Sequence, residues 1–503
     1  MSFHRLSPRR TPFCLGPSGF GVLACLALAG CAAGPDFTPP AAPAVTTYTA
    51  EPLTPTVATP DVAGGDAQTF IAGADLSADW WTLFHSQALD DLIAQSLAAN
   101  HDLKAAQAAL TAAHENTLAQ RGAYRPSVSA GLSATHTRAT DPQAPGEGAS
   151  EYSLFTPQVS ISYTPDLFGL NRRTVESLEA QEQSTRYQMA ATYVTLTANV
   201  ANAAIQAASL QSQIDATRQL IDINAKITDT LGYQVSKGYA SQGDLAAQQT
   251  QAAQVAATLP PLLTQLAQQR DLLAVLTGRF PGEAQPDTPD LSSLTLPQDL
   301  PLSLPSDLVE QRPDVLQAEA DLHAASAAIG VAAANRLPSL QLTGDIGNSA
   351  LTLHDAFGPG AGFWDMGAAL TAPIYQGGTL LHQERAAKAA YVQAGEQYRG
   401  TVLTAFENVA DTLAALEHDA EALKAAADAD AAAGASLDIA QRQTQDGYAD
   451  NLSLLNAEQA AQQTRIALIQ AQASRYADTV ALYQALGGGW WHRGDLTGDT
   501  HAQ

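Results

Sequence analysis

The sequence has little cysteine, few aromatic residues and half as many basic residues as acidic ones. Its three cysteines, Cys14, Cys25 and Cys31, all fall within the first 31 residues, and none sits in a metal-like spacing. Aromatic residues make up 6% of the 503. Alanine and glutamine abound instead, and long Ala-rich runs with few Gly or Pro favour helix. The balance of 25 basic against 50 acidic residues leaves a net charge of −25, which disfavours nucleic acid and anionic lipid as partners. It is compatible with a lumen that attracts cations, or with a solvated acidic surface. Catalytic signatures are also missing. The eleven histidines are scattered, and there is neither a Walker-type phosphate loop nor a Gly-x-Ser-x-Gly elbow. The sequence therefore reads as a non-enzyme with no metal, and with no cofactor apart from a covalent lipid.

That lipid is read from the N-terminus. Arg5, Arg9 and Arg10 precede an apolar run from Phe20 to Ala29, too short to remain as a membrane span. The run ends in Leu28-Ala29-Gly30-Cys31, which resembles the bacterial lipobox. Residues 1–30 are thus expected to be a signal peptide and Cys31 the lipid anchor. Cleavage removes Cys14 and Cys25, so no disulfide is expected. Ala32 after the cysteine favours sorting to the outer membrane. Residues 31–78, rich in Pro, Ala and Thr, read as an extended tether.

The rest is written twice. Asp102 lies 24 residues before Pro126, and Asp314 lies 24 residues before Pro338. Both pairs are offset by 212 (314 − 102 and 338 − 126). Gly238-Tyr239-Ala240 returns as Gly447-Tyr448-Ala449 at an offset of 209, and Leu276-Thr277-Gly278 as Leu486-Gly487-Gly488 at 210. Such a period is far too long for a solenoid, so two homologous halves are expected over 79–280 and 304–488. Residues 281–303 link them and 489–503 form a tail expected to be disordered.

Each half opens with a helix, the first running to about Arg121 and the second from about Pro313 to Asn335. The period then changes to two. Val128, Ala130, Leu132 and Ala134 alternate with Ser127, Ser129, Gly131 and Ser133. The expected strands cover about 126–138, 153–165, 338–349 and 362–374, each with one apolar and one small, polar face. A helix of roughly 60 residues follows in each half, about 90 Å long. Breaks at Gly238 and Gly447 separate it from a last helix with a 3,4,3,4,3 seam. Pro260-Pro261 is expected to kink or divide the first of those last helices. Four strands cannot close a barrel in lipid, so the chain must oligomerise: a dimer gives eight strands, a trimer twelve. A soluble β-sandwich has the same alternation. Arg312-Pro313-Asp314 reads as a helix start, and Trp80, Trp81 and Trp490 as packing residues.

Leu304-Pro305-Ser306-Asp307-Leu308-Val309-Glu310-Gln311-Arg312-Pro313-Asp314-Val315, Ala328-Ile329-Gly330-Val331-Ala332 and Pro338-Ser339-Leu340 resemble the outer-membrane factor family of tripartite efflux systems. Asp166-Leu167-Phe168-Gly169 and Pro373-Ile374-Tyr375-Gln376-Gly377-Gly378 match too. The branch is that of the TolC-like OprM and NodT lipoproteins. The resemblance implies a mainly α fold: a homotrimer with a twelve-stranded β-barrel in the outer membrane and a periplasmic α-barrel. It implies a passive exit duct for small molecules, a periplasmic adaptor, and an inner-membrane pump that is proton-driven. It places adaptor contacts at Gly238, Tyr239, Ala240, Ser241, Gly447, Tyr448, Ala449 and Asp450. It also implies a periplasmic gate at Leu452 and at position 456, where Asn456 replaces the family's acid. A duct for secreted polypeptides and a lumenless envelope spacer are the alternatives.

Overall fold

The computed structural model describes residues 32–139, 149–283, 287–446, 448 and 451–497. In chain order they form strand β1 (Thr69–Ala72), helices α1 (Gln87–Ala99) and α2 (His101–Arg121), then strands β2 (Ser127–Ala139) and β3 (Ser150–Tyr163). Helices α3 (Leu170–Ser236) and α4 (Gln242–Leu276) follow, then β4 (Asp299–Leu302), α5 (Pro305–Gln311) and α6 (Pro313–Ala334). The chain continues with β5 (Ser339–Asn348), β6 (Gly362–Thr371), α7 (Thr379–Gln445), α8 (Asn451–Ala485) and a final turn, α9 (Gly494–Thr497). The order helix, two strands, two helices occurs twice. Helices α3 and α7 have 67 residues each, and α4 and α8 have 35 each.

Two compact units result. The first comprises Met1–Pro39, Ala113–Glu182 and Asp321–Gly395. Its centre is an antiparallel sheet in the order β2-β3-β5-β6. The register carries one face across all four strands. Val128 lies opposite Ile161, Val159 opposite Ile346, and Ile346 opposite Trp364. On the other face Ser127 meets Ser162, Ser162 meets Thr343, and Thr343 meets Gly367. Because side chains alternate with period two, this register gathers most large apolar groups on one side, with Leu154 and Phe363 as exceptions on the other.

The second unit comprises Pro40–Ala112, Gln183–Ala320 and Glu396–Gln503. Its core collects the expected packing residues. Trp80 is fully buried and lies 5.4 Å from Tyr483, and Trp490 lies 5.9 Å from Tyr187. The seam of α8 buries Ile469, Ala473, Tyr476, Val480 and Tyr483, and that of α4 buries Leu266 and Leu273.

Four expectations need correction. The first helix is two helices. Asn100 interrupts it, and its Oδ1 accepts from the backbone N–H groups of Asp102 and Leu103 at 2.9 and 3.0 Å, a side-chain cap that starts a new helix. Pro260 and Pro261 do not divide α4, which runs through both. The carbonyls they leave without a donor belong to Ala256 and Ala257, both exposed, so water satisfies them.

The N-terminal tether is held rather than loose. Its β1 pairs in parallel with β4, Phe70 opposite Leu300, and Gln68 is fully buried. The tail is ordered through Thr497. Gly487, Gly488 and Gly489 take φ of 97°, 67° and 69°, a run that glycine alone adopts readily. The turn carries Trp490 into the core, where its Nε1 donates to the Gln311 carbonyl at 2.7 Å.

Candidate functional site

The sheet of the first unit has no interior on either side of its apolar face. Val128, Trp364 and Met366 are 67%, 73% and 82% exposed in the single chain. A large apolar face left open in this way needs lipid or protein to cover it. The opposite face is small and hydrophilic. At its middle Asp345 lies opposite Asp365, and Asp345 accepts from the Ser160 hydroxyl and from Gln158 Nε2. Among the described residues no helix is long and apolar enough to cross a membrane.

The first tip follows from its local sequence. Gly238 has φ +79°, and the Tyr239 N–H reaches back to the Gln234 carbonyl at 2.9 Å. This is the terminal bond expected where glycine ends a helix in the left-handed region. Ser241 then starts α4. Its Oγ accepts from the Asp244 N–H, and its own N–H donates to the Asp244 carboxylate, both at 3.1 Å, a reciprocal cap. Tyr239 is left 82% exposed. At the second tip the Tyr448 N–H donates to the Gln443 carbonyl at 2.8 Å, the same five-residue return, and Tyr448 is 86% exposed. Gly447, Ala449 and Asp450 lie outside the described residues, as does Cys31.

Positions 452 and 456 lie one turn apart on α8, and Asn456 is exposed. The helix buries a different face, through Leu454 and Ala457, which pack with Ala440, Leu437 and Ile227. Beside them sits a residue the sequence reading missed. Glu458 is 2% exposed, and neither carboxyl oxygen has a donor. Its neighbour Gln248 is fully buried. Gln248 uses its amide N–H on Asn224 Oδ1 at 3.1 Å, and Asn224 uses its own on the Leu220 carbonyl at 3.0 Å. The free atom of Gln248 is its Oε1, an acceptor. A protonated Glu458 carboxyl is a donor of the kind that this oxygen lacks. Burial raises Glu458 from 4.5 to about 7, against a smaller lowering by Gln248, which keeps that proton available near neutrality.

A second buried polar hub lies further along α8. Arg475 donates to the Leu416 carbonyl at 2.7 Å, to Gln68 Oε1 at 2.7 Å and to Thr56 Oγ1 at 3.2 Å. One side chain therefore joins α7, α8 and the N-terminal segment. Asp478, one turn on, is pushed up, first by burial and then by the Asp419 carboxylate, with Arg475 pulling it down. Asp478 also lines a groove of about 860 Å³ between α3, α4 and α8, whose other polar groups include Asn199, Asn202, Gln206, Gln265 and Gln470. Neutral amides of this kind offer many weak hydrogen bonds and no strong one.

Arg312 has a structural task. It grips Asp314 with two hydrogen bonds at 3.0 and 2.6 Å and donates to the Ala485 carbonyl at 2.9 Å. It thereby joins the start of α6 to the end of α8. Among the described residues there is no group of three His, Cys, Asp or Glu side chains able to hold a metal ion.

Comparison with known proteins follows the same division of the chain. A family model described as outer membrane efflux protein matches residues 92–279 and again 304–488. The toluene efflux pump outer membrane protein TtgC of Pseudomonas putida is 29% identical over 483 residues, covering 95% of this chain and 96% of that protein. The outer membrane protein OprJ of Pseudomonas aeruginosa is 29% identical over 94% of this chain and 96% of its own. Among solved structures, the outer-membrane channel OprN superposes with a TM-score of 0.81 at 26% identity, over 92% of this chain and all of that one. The chain belongs to the outer membrane efflux protein family.

Proposed function

We propose that three copies of this chain close a twelve-stranded barrel in the outer membrane and act as the exit duct of a tripartite efflux system. The observation that carries this reading is the sheet β2-β3-β5-β6, with one open apolar face and a hydrophilic face behind it. In lipid such a sheet is stable only when its edges find partners. Three sheets of four give twelve strands, with the serine, threonine and glycine face turned to a wet lumen. The two halves of the chain are the products of a duplication, each supplying one hairpin and one pair of long helices.

Relatives named for toluene and antibiotic efflux support small organic molecules as cargo. An inner-membrane pump, proton-driven by the family resemblance, supplies the energy, and a periplasmic adaptor joins pump to duct. The adaptor docks at the tips: Gly238 to Ser241 on one, Gly447 to Asp450 on the other. Leu452 and Asn456 form the periplasmic gate, with neutral Asn456 in place of an acid. Cys31 carries the acyl chains. Residues just after it support an anchor held against the first unit: the Ala33 N–H donates to the Phe168 carbonyl at 2.9 Å, and Asp36 pairs with Arg173 at 2.7 Å.

The test is single-channel recording of the purified oligomer in a planar bilayer, with its mass measured in parallel. Discrete conductance steps from a particle of three chains are expected. A particle of two chains, or one with no conductance, overturns the proposal.

A further inference from the structure

We infer that a basic pocket beside the start of β2 binds the phosphate of an anionic phospholipid from the periplasmic leaflet. The inference rests on the reading of the four strands as membrane-spanning. The pocket measures about 580 Å³, lies within the first unit, and is lined by Arg121, Tyr124, Arg125, Arg172 and Arg173 with Asp36, Glu176 and Glu179. Four cations and three anions line it, and a fourth carboxylate, Asp166, stands beside it, accepting from the Arg172 backbone N–H at 2.8 Å.

The anions are already engaged. Asp36 and Glu176 both bind Arg173, each at 2.7 Å, and Glu179 binds Arg121 at 2.5 Å. Arg125 and Arg172 are left with no side-chain hydrogen bond or ion pair to any described residue, and both are exposed. The guanidinium groups open to a ligand are therefore theirs. The guanidinium fork suits phosphate oxygens, which it meets two at a time.

Position selects the ligand. Arg125 stands two residues before β2, whose first large apolar side chain is the open Val128. Arg172 is the third residue of α3, which follows β3. Tyr124, 43% exposed, directly precedes Arg125. An aromatic ring and a cation just before an apolar band match the ends of membrane strands, where headgroups lie. The protein's overall negative charge disfavours anionic lipid at large, but charges beyond about 8 Å are screened at physiological salt, so the local guanidinium pair decides here. The N-terminal segment also enters here, since Asp36 is five residues after Cys31.

The experiment is native mass spectrometry of the purified oligomer, titrated with phosphatidylglycerol and with phosphatidylcholine of the same acyl chains. The unmodified protein is expected to hold phosphatidylglycerol about tenfold tighter, from two arginines near the surface. Arg125→Gln with Arg172→Gln is expected to erase that preference, leave phosphatidylcholine binding unchanged and leave the oligomer intact. Arg125→Lys with Arg172→Lys is expected to restore part of it. Inorganic phosphate at millimolar concentration is expected not to displace the lipid. Equal retention of phosphatidylglycerol by the double Gln variant overturns the proposal. So does displacement by phosphate alone, which marks a site for free anions. If the protein enters vesicles but shows no lipid preference, this site fails and the membrane reading stands. If it does not enter vesicles at all, both fail.

Discussion

Arg475 and Gln68, 407 positions apart in the chain, meet through a hydrogen bond of 2.7 Å inside the second unit. Gln68 spends its own amide on the Pro297 carbonyl and on Thr479 Oγ1, at 2.9 and 3.0 Å. The N-terminal segment is therefore fastened by a buried hydrogen-bond network. Removing the guanidinium strands Gln68 Oε1 and takes the extra donor from the Leu416 carbonyl, so Arg475→Ala is expected to destabilise by about 2–4 kcal/mol. Gln68→Ala is expected to cost about half of that. Thermal unfolding gives the order. Limited proteolysis should cut first between residues 40 and 68 in Arg475→Ala. A first cut elsewhere contradicts the fastening role.

Glu458 makes the packing around α8 depend on pH. Its carboxyl titrates near 4.5 when exposed and at about 7 when packed. Below about pH 4.5 both forms carry the proton and pH has no effect. Between 4.5 and about 7 the separated form loses its proton while the packed form keeps it, so packing weakens as pH rises. At about 1.4 kcal/mol per pH unit the loss approaches 3 kcal/mol by pH 7 and then levels off. Glu458→Gln supplies a permanent donor in place of the proton. Hydrogen exchange in the first turns of α8, compared between the two proteins at pH 5 and pH 8, should differ at pH 8 only. A difference of the same size at both values rules out the proton.

On β5 the even-numbered positions share the apolar face and the odd-numbered ones the hydrophilic face. A charge toward lipid costs about 2–4 kcal/mol near the midplane. Leu342→Arg should therefore reduce the heat-resistant oligomer on a gel far more than Thr343→Arg. Equal losses would mean that both faces see the same surroundings.

The proposed gate separates apolar from electrostatic closure. Leu452→Ala should raise conductance without changing assembly. Asn456→Asp places three like charges near one another, so conductance should become sensitive to divalent cations, with the unmodified duct much less so. Strong divalent block of the unmodified protein would place the charge elsewhere, at Asp446 or Asp450. Unchanged conductance in Leu452→Ala would make Leu452 a packing residue.

The anchor has its own test. Cys31→Ser should abolish labelling by a fatty-acid probe while the strands still insert. Labelling that persists in the variant removes Cys31 from that role.

What could be read in the sequence was whatever repeats along one element. The strands announce themselves at Val128 to Ala134 and again at Leu340 to Ile346 because one face meets apolar surroundings and the other does not. The helix ends at Gly238 and Ser241 are written in local residues. Partnerships across the chain leave no such trace. Arg475 and Glu458 sit in a helix whose seam looks apolar, and nothing near them in sequence names Gln68 or Gln248. The β1–β4 pair was missed because each strand has four residues and β4 contains Pro301, which fits only where its missing N–H goes unused. Asn100 was overlooked because helical periodicity continues on both sides of a one-residue cap.

The sheet ends on β2 and β6, and each outer edge presents a row of backbone N–H and C=O groups with no described partner. Until other copies arrive, those edges are templates for any extended peptide. In the proposed assembly a chain is thus at its most vulnerable before it meets its companions. Dilution lengthens that interval steeply, because closure needs several chains at once. The yield of finished ducts should therefore depend on how quickly the proposed copies meet, and so on the rate of synthesis, more than on the stability of the finished particle.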